Sequence, residues 1–173
     1  MIAPAQKYQA VLKEKLIDTW YNPRYKYYRA NVYANYDDLP VDTWKSHDFV
    51  SLDKDNNVLG YISYSIDRTT CSAYNLAILS FVEGTVTFGK DLIQVINDIF
   101  YKYNFYCLTF SVVVGNPIEK TYDKLIAKYG GNIVGTYKSY VRLDDGSLYD
   151  LKLYQILKTD IKAIIANREI SIL

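Results

Sequence analysis

Between Phe88 and Tyr103 the apolar residues Phe88, Leu92, Val95, Ile96, Ile99, Phe100 and Tyr103 recur at spacings of three and four. That periodicity gives a helix with one buried face. Tyr74 to Val82, just before it, reads as a strand, and Phe105 to Val114, just after it, is a near-continuous β-type run suited to a strand covered on both faces. A second helix opens at Asn116-Pro117-Ile118-Glu119, which offers a side-chain cap, proline at the first position and glutamate at the third. Ile118, Tyr122, Leu125, Ile126 and Tyr129 form its apolar stripe, and Gly130-Gly131 ends it. Strand, helix, strand, helix in a chain of 173 residues, half of them apolar, implies one α/β domain around one core.

The flanks extend this pattern. Tyr8, Val11, Leu12, Leu16 and Trp20 share one face of an opening helix spanning about Ala5 to Trp20. Tyr21 to Trp44, rich in Tyr and Asn and broken by Pro23 and Pro40, contains a short second helix. Phe49 to Leu52 and Val58 to Ile66 make a hairpin about the turn Asp53-Lys54-Asp55-Asn56-Asn57. Two last strands, about Ile133 to Leu143 and Ser147 to Leu157, flank Asp144-Asp145-Gly146. No internal repeat or interdomain linker interrupts the chain.

Charge and cysteine content narrow the chemistry. Lys plus Arg (20) nearly cancels Asp plus Glu (19), so no global field attracts nucleic acid or an anionic membrane. No apolar run approaches the roughly 18 residues that span a bilayer, and Met1 to Lys7 lacks a basic start followed by an apolar stretch. A cytosolic protein is expected. Cys71, Cys107 and His47 are too few and too scattered for a usual structural zinc site, so no metal is expected and the thiols are read as reduced. A Ser/His/Asp or Cys/His apparatus would have to rest on His47 alone, which is read as a surface residue. Nineteen tyrosines among many Ile, Asn and Lys residues suit an A+T-rich genome, such as that of a virus or a low-GC bacterium.

Phe81-Val82-Glu83-Gly84-Thr85-Val86-Thr87-Phe88-Gly89-Lys90-Asp91-Leu92 joins a strand to a helix through glycines. The first turn of a helix presents unpaired N–H groups and partial positive charge, which suits a diphosphate. Over about residues 48 to 157 the chain resembles the GNAT N-acetyltransferases. Gly60 in Asn57-Val58-Leu59-Gly60-Tyr61-Ile62 is similar to that family's third-strand glycine. Gly89 resembles the last small residue of its Q/R-x-x-G-x-G/A pyrophosphate loop, and Asn116 the asparagine opening its next helix. The sequence departs from the family where the Q/R position falls on Gly84 and the middle glycine on Thr87, leaving only backbone chemistry in the loop. The family's first strand is not evident before the opening helix.

The resemblance implies a twisted mixed sheet with helices on both faces and a CoA-dependent N-acyltransferase with acetyl-CoA as co-substrate. The domain would run over 1–157, with N-terminal helices in 1–47 and the sheet core in 48–157, followed by an extension at 158–173. CoA diphosphate would dock on the backbone of Val86, Thr87, Phe88, Gly89 and Lys90, with the pantetheine arm held by backbone at Leu79 to Phe81 and Asn116 beside it. Tyr122 is the family-like general acid, though it lies one residue from the expected place and on the apolar stripe, so core packing is an equal alternative. No carboxylate stands on the fourth strand, which offers Asn75 and Ser80; Glu83 and Asp67 are the nearest acids. The acceptor is a small-molecule or protein amine, met by the opening helices and the last hairpin.

The alternative is a non-catalytic protein of the same fold that binds or assembles, for example within a viral or larger complex. Tyr21 to Arg29 interleaves basic and aromatic residues, a pattern that can stack bases; with a net charge of +1, a solvated helix face or acceptor-site wall is the stronger reading. In the extension, Thr159 could cap a short helix carrying Ile161, Ile164 and Ile165. The alternating Glu169 to Leu173 then suits a docking element for a second copy or a partner, with packing onto its own sheet an equal alternative.

Overall fold

A computed structural model describes residues 1–20, 22–28, 39 and 43–160. Seven strands, β1 (Ile2–Pro4), β2 (Ser46–Leu52), β3 (Val58–Asp67), β4 (Ser72–Ser80), β5 (Cys107–Val113), β6 (Asn132–Arg142) and β7 (Leu148–Leu157), form one sheet in the order β1-β2-β3-β4-β5-β7-β6. The helices are α1 (Gln9–Ile17), α2 (Val86–Asn97) and α3 (Glu119–Tyr129), with 3-10 turns at Ala5–Tyr8 and Pro23–Tyr28. No helix among the described residues is long and apolar enough to cross a membrane. Residues 161–173, with the tail features expected there, lie outside the described residues, as does most of 29–42.

The expected strand missing from the N-terminus exists: β1 pairs antiparallel with β2, Ile2 opposite Ser51 and Pro4 opposite Phe49. Its edge place explains how so short a strand tolerates proline. The opening helix is shorter than its periodicity suggests. Leu12 and Leu16 are buried, Val11 inside the helix is 44% exposed, and Trp20 (39%) lies beyond the end of α1 at Ile17. The β2–β3 turn forms as its composition implies, the Asp53 carboxylate accepting from the amides of Asp55 and Asn57, each at 2.8 Å.

Side chains alternate across the sheet and sort into two large clusters, with a small third at Val113, Val141 and Leu143. On one face Leu12 and Leu16 of α1 and Tyr25 meet Val50, Leu52, Tyr61 and Leu79. On the other, Val95 of α2, Ile99 and Phe100 just beyond it and Ile126 of α3 meet Ile62, Tyr64, Leu108, Phe110 and Tyr154. Gly60 belongs to this packing: a Cβ there would collide with the Phe88 ring and the Leu79 carbonyl, so glycine lets α2 press onto β3. Past Asn97 the helix widens into a π turn (Asp98–Lys102), closed by the Tyr103 amide on the Asp98 carbonyl at 2.9 Å.

His47 is a core residue rather than the expected surface one. Alternation along β2 turns it inward, where it is 7% exposed and its Nδ1 meets the Tyr64 hydroxyl at 2.5 Å. The Tyr103 ring lies 4.3 Å away, centroid to centroid. Burial, then the nearby Arg68, hold its pKa below the usual histidine value, with Asp48 pulling the other way. The unfolded chain therefore takes up this proton more readily than the folded one. Stability on this account is complete above about pH 6.5 and is lost as the pH falls from there toward the lower folded value. The melting temperature should decline as buffers are taken from about pH 7 to 5, and His47→Phe should flatten that decline. An unaltered slope in the variant would place the titration elsewhere.

Candidate functional site

Every neighbouring pair of strands is antiparallel except β4 and β5, which run parallel and pair only at Ser72–Cys107 and Ala73–Leu108. Asn75, next along β4, takes a left-handed backbone with φ 54°, and the ladder to β3 shifts there. Such a bulge bends its strand, and asparagine tolerates that conformation better than most residues. β5 meanwhile stays paired with β7 along its whole length, Cys107 opposite Leu157 and Val113 opposite Leu151. A wedge opens between β4 and β5.

The wedge holds a slot of about 50 Å³, lined by Ala77 and Ile78 of β4, Ser111 and Val113 of β5, Tyr27 and Tyr28 of the second 3-10 turn, and Asn116 and Tyr122. Within the aromatic-basic segment, residues 23–28 thus pack onto the fold. Tyr25 is buried, Arg24 pairs with Glu83 at 3.5 Å, and Lys26 is tied to Asp145 and the Tyr149 hydroxyl at 2.6 Å each. These contacts bind the turn to the β6–β7 hairpin and set two tyrosines over the slot.

Asn116 is 6% exposed, and its Oδ1 accepts from the Ile118 amide at 3.1 Å while the Glu119 carboxylate accepts from the Gly115 amide at 2.9 Å. The cap works on the turn before α3, so the regular helix begins at Glu119 instead of Pro117. Lys152 of β7 reaches Asp123 at 2.7 Å and Glu119 at 3.3 Å, and the Tyr154 hydroxyl donates to Asp123 at 2.7 Å. These ties fix the first turns of α3. Tyr122, between them, sets its ring edge-on to Phe110 (5.4 Å) and Tyr154 (6.0 Å). Its hydroxyl makes no hydrogen bond among the described residues, and burial pushes its pKa up. Packing and position at the slot therefore coincide in one residue.

At the other end, α2 begins at Val86, with Thr85 as its N-cap giving no side-chain hydrogen bond. The amides of Val86, Thr87 and Phe88 precede the first intrahelical bond, which the Gly89 amide makes to the Thr85 carbonyl at 3.4 Å. Gly89 and Lys90 thus stand inside the helix, so the open donors are those of Val86 to Phe88. A Cβ on Gly89 would meet nothing within 4 Å. Gly84, at the family's side-chain position, has φ 64°, a conformation that glycine takes without strain.

Register also selects which backbone of β4 faces the wedge. The Phe81 amide donates to the Leu59 carbonyl at 2.9 Å, so Phe81 and, by alternation, Leu79 spend their backbone groups on β3. The groups of Ile78 and Ser80 point the other way, toward β5. The backbone of Leu79 and Phe81, expected at this position, is therefore turned away from the wedge, which only the pairing register decides. Neither of the nearest acids lines the slot: Glu83 is an exposed surface group beside Arg24, and Asp67 caps its own turn through Thr69 and Thr70.

No family model matches the sequence, and neither does any curated protein. Solved structures do. Spermidine N-acetyltransferase from Vibrio cholerae in complex with CoA and spermine has a TM-score of 0.69 at 16% identity, covering 93% of this chain and 96% of that one. The spermidine/spermine N-acetyltransferase of that organism in complex with manganese ions gives 0.59 at 20% identity, covering 74% and 72%. With its β4–β5 wedge and helices on both faces, this chain has the fold of the GNAT N-acetyltransferases.

Proposed function

We propose that the chain transfers an acetyl group from acetyl-CoA to an amine. The observation that supports this reading is the wedge between β4 and β5 with Tyr122 lining its slot. The residues present fit the donor: amides of Val86 to Phe88 at an uncapped helix start suit a diphosphate, and the open space at Gly89 admits one. Backbone of Ile78 and Ser80 would hold the pantetheine arm as a strand partner, and Asn116 shapes the wall beside it. The thioester supplies an activated acyl group. Tyr122 gives its proton to the departing thiolate, a role that suits a phenol whose raised pKa keeps it protonated at neutral pH. Tyr27 and Tyr28 wall the acceptor side, where aromatic faces suit an ammonium group. The spermine held by one structural neighbour makes polyamines the first acceptors to try.

Acetyl-CoA should raise the melting temperature. Saturation at about a hundred times Kd adds roughly 2.7 kcal/mol, or about 5 to 10 °C for a chain of this size. No shift at about 1 mM, the upper end of usual KM values, would leave a GNAT-fold binding or assembly protein. Gly84 and the lack of a carboxylate on β4 favour that second reading.

A further inference from the structure

At the end of β4 away from the start of α2, the β3–β4 turn and the residues leading into β2 enclose an open cleft of about 410 Å³, lined by Trp44, Lys45, Asp67, Arg68, Thr69 and Tyr74. The turn is tied to itself. Its Asp67 carboxylate accepts from the Thr69 amide at 2.9 Å, the Thr70 amide at 3.3 Å and the Thr70 hydroxyl at 2.8 Å, so this acid is occupied within its own turn. On the other wall the Lys45 carbonyl accepts from the Ile66 amide at 2.8 Å, which holds the chain before β2 alongside the end of β3. Two cations, Lys45 and Arg68, thus share one cleft on fixed backbone.

Arg68 is held by neutral partners. Its Nε donates to the Trp44 carbonyl at 3.2 Å, and its guanidinium carbon lies 4.0 Å from the centre of the Trp44 ring. Both contacts orient the guanidinium and leave its two terminal nitrogens, the fork that fits a phosphate, without a hydrogen bond among the described residues. No carboxylate among the described residues forms an ion pair with Arg68 or Lys45. Like charges gathered without an acid between them repel, and a bound anion removes that cost. The rings add a second chemistry: Trp44 is 66% exposed and Tyr74 39%, large aromatic surfaces left in water beside the cations, where a flat base can stack. A lone inorganic ion would leave those rings unused, and the cleft has the volume of a small-molecule site.

We propose that this cleft binds a nucleoside monophosphate, its phosphate on Arg68 and Lys45 and its base against the rings of Trp44 and Tyr74. The site lies apart from the one proposed for acetyl-CoA. Tyr74 stands near the start of β4 and Ser80 at its end, roughly 20 Å away, and the amides of Val86 to Phe88 follow Ser80. Nucleotide binding here does not depend on the acetyl-transfer reading.

The test is a calorimetric titration of the full chain with AMP, which should bind saturably with a Kd below about 1 mM. Arg68→Gln should weaken binding roughly tenfold or more, and Lys45→Gln by a smaller factor, because a charge-assisted fork holds a phosphate better than a point charge. Both side chains are exposed, so the variants should melt with wild type. In Trp20→Phe, where Trp44 is the only tryptophan, AMP should quench the emission, and adenosine, which lacks the phosphate, should not do so at the same concentration. Gly89→Val should bind AMP as wild type does. No saturable response at about 1 mM AMP, or unchanged binding when Arg68→Gln and Lys45→Gln are combined, would overturn the site. Loss of AMP binding in Gly89→Val would also overturn it and place the nucleotide at the start of α2. Inorganic phosphate binding as tightly as AMP would reduce the cleft to a simple anion contact, and a single-stranded oligonucleotide binding far tighter than AMP would replace the free nucleotide by a nucleic acid chain.

Discussion

Tyr122→Phe is expected to cut turnover by roughly a hundredfold or more while leaving the melting temperature close to that of wild type. The ring that packs against Phe110 and Tyr154 is retained in phenylalanine, and the hydroxyl it loses has no hydrogen-bond partner among the described residues. Nothing buried is orphaned by the change, so the usual penalty for breaking a hydrogen bond does not arise. A general acid contributes through its proton alone, and its loss should appear in kcat with little change in the KM for acetyl-CoA. Because burial raises the Tyr122 pKa, the proton stays in place well above neutral pH, and Tyr122 sets no alkaline limit in an ordinary assay. Steady-state rates and a melting curve on the same preparation decide the matter. Unchanged turnover would assign Tyr122 to the core alone.

The double nature of Tyr122 shows where sequence reading stops. Helical periodicity places it on the stripe with Ile118 and Ile126, and the structure does pack its ring there. Its place in the lining of the slot depends on where β5 delivers the start of α3, which no local pattern encodes. The same division holds elsewhere. The strands β2 to β7 and the helices α2 and α3 announce themselves through alternation or the three-and-four rhythm, because each buries one face. β1 does not, since three residues ending in proline carry no period and are held by the edge of β2. α2 begins before Phe88 because Val86 and Thr87 are exposed and therefore silent in an apolar pattern.

Site residues were legible where chemistry is local and illegible where it depends on register. Glycine near a helix start is visible from sequence alone. Which amides remain open there, and which residues of β4 face the wedge, follow from the first intrahelical bond and from the Phe81–Leu59 pairing. Asn75 alone carried an unused hint: a residue tolerant of positive φ inside a β-type run marks a bulge, and this bulge opens the site.

Gly89→Val should abolish the acetyl-CoA thermal shift and leave the free protein as stable as wild type or slightly more so. Glycine inside a helix costs about 1 kcal/mol relative to alanine, through the freedom it loses on folding. Valine recovers part of that, and a Cβ at this position meets nothing within 4 Å, so no packing opposes it. Gly89 therefore contributes nothing to the apo fold that a larger residue would not. On the proposed function its value would lie in the space it leaves beside the amides of Val86 to Phe88, where a diphosphate would come within hydrogen-bond distance. A branched side chain projecting there would hold the phosphates away. Melting curves of both proteins, with and without about 1 mM acetyl-CoA, give the comparison. A free variant that melts as high as wild type but does not respond to acetyl-CoA would locate the diphosphate at this helix start. An undiminished shift in the variant would show that acetyl-CoA, if bound, lies elsewhere, and would leave the uncapped amides of α2 without this ligand.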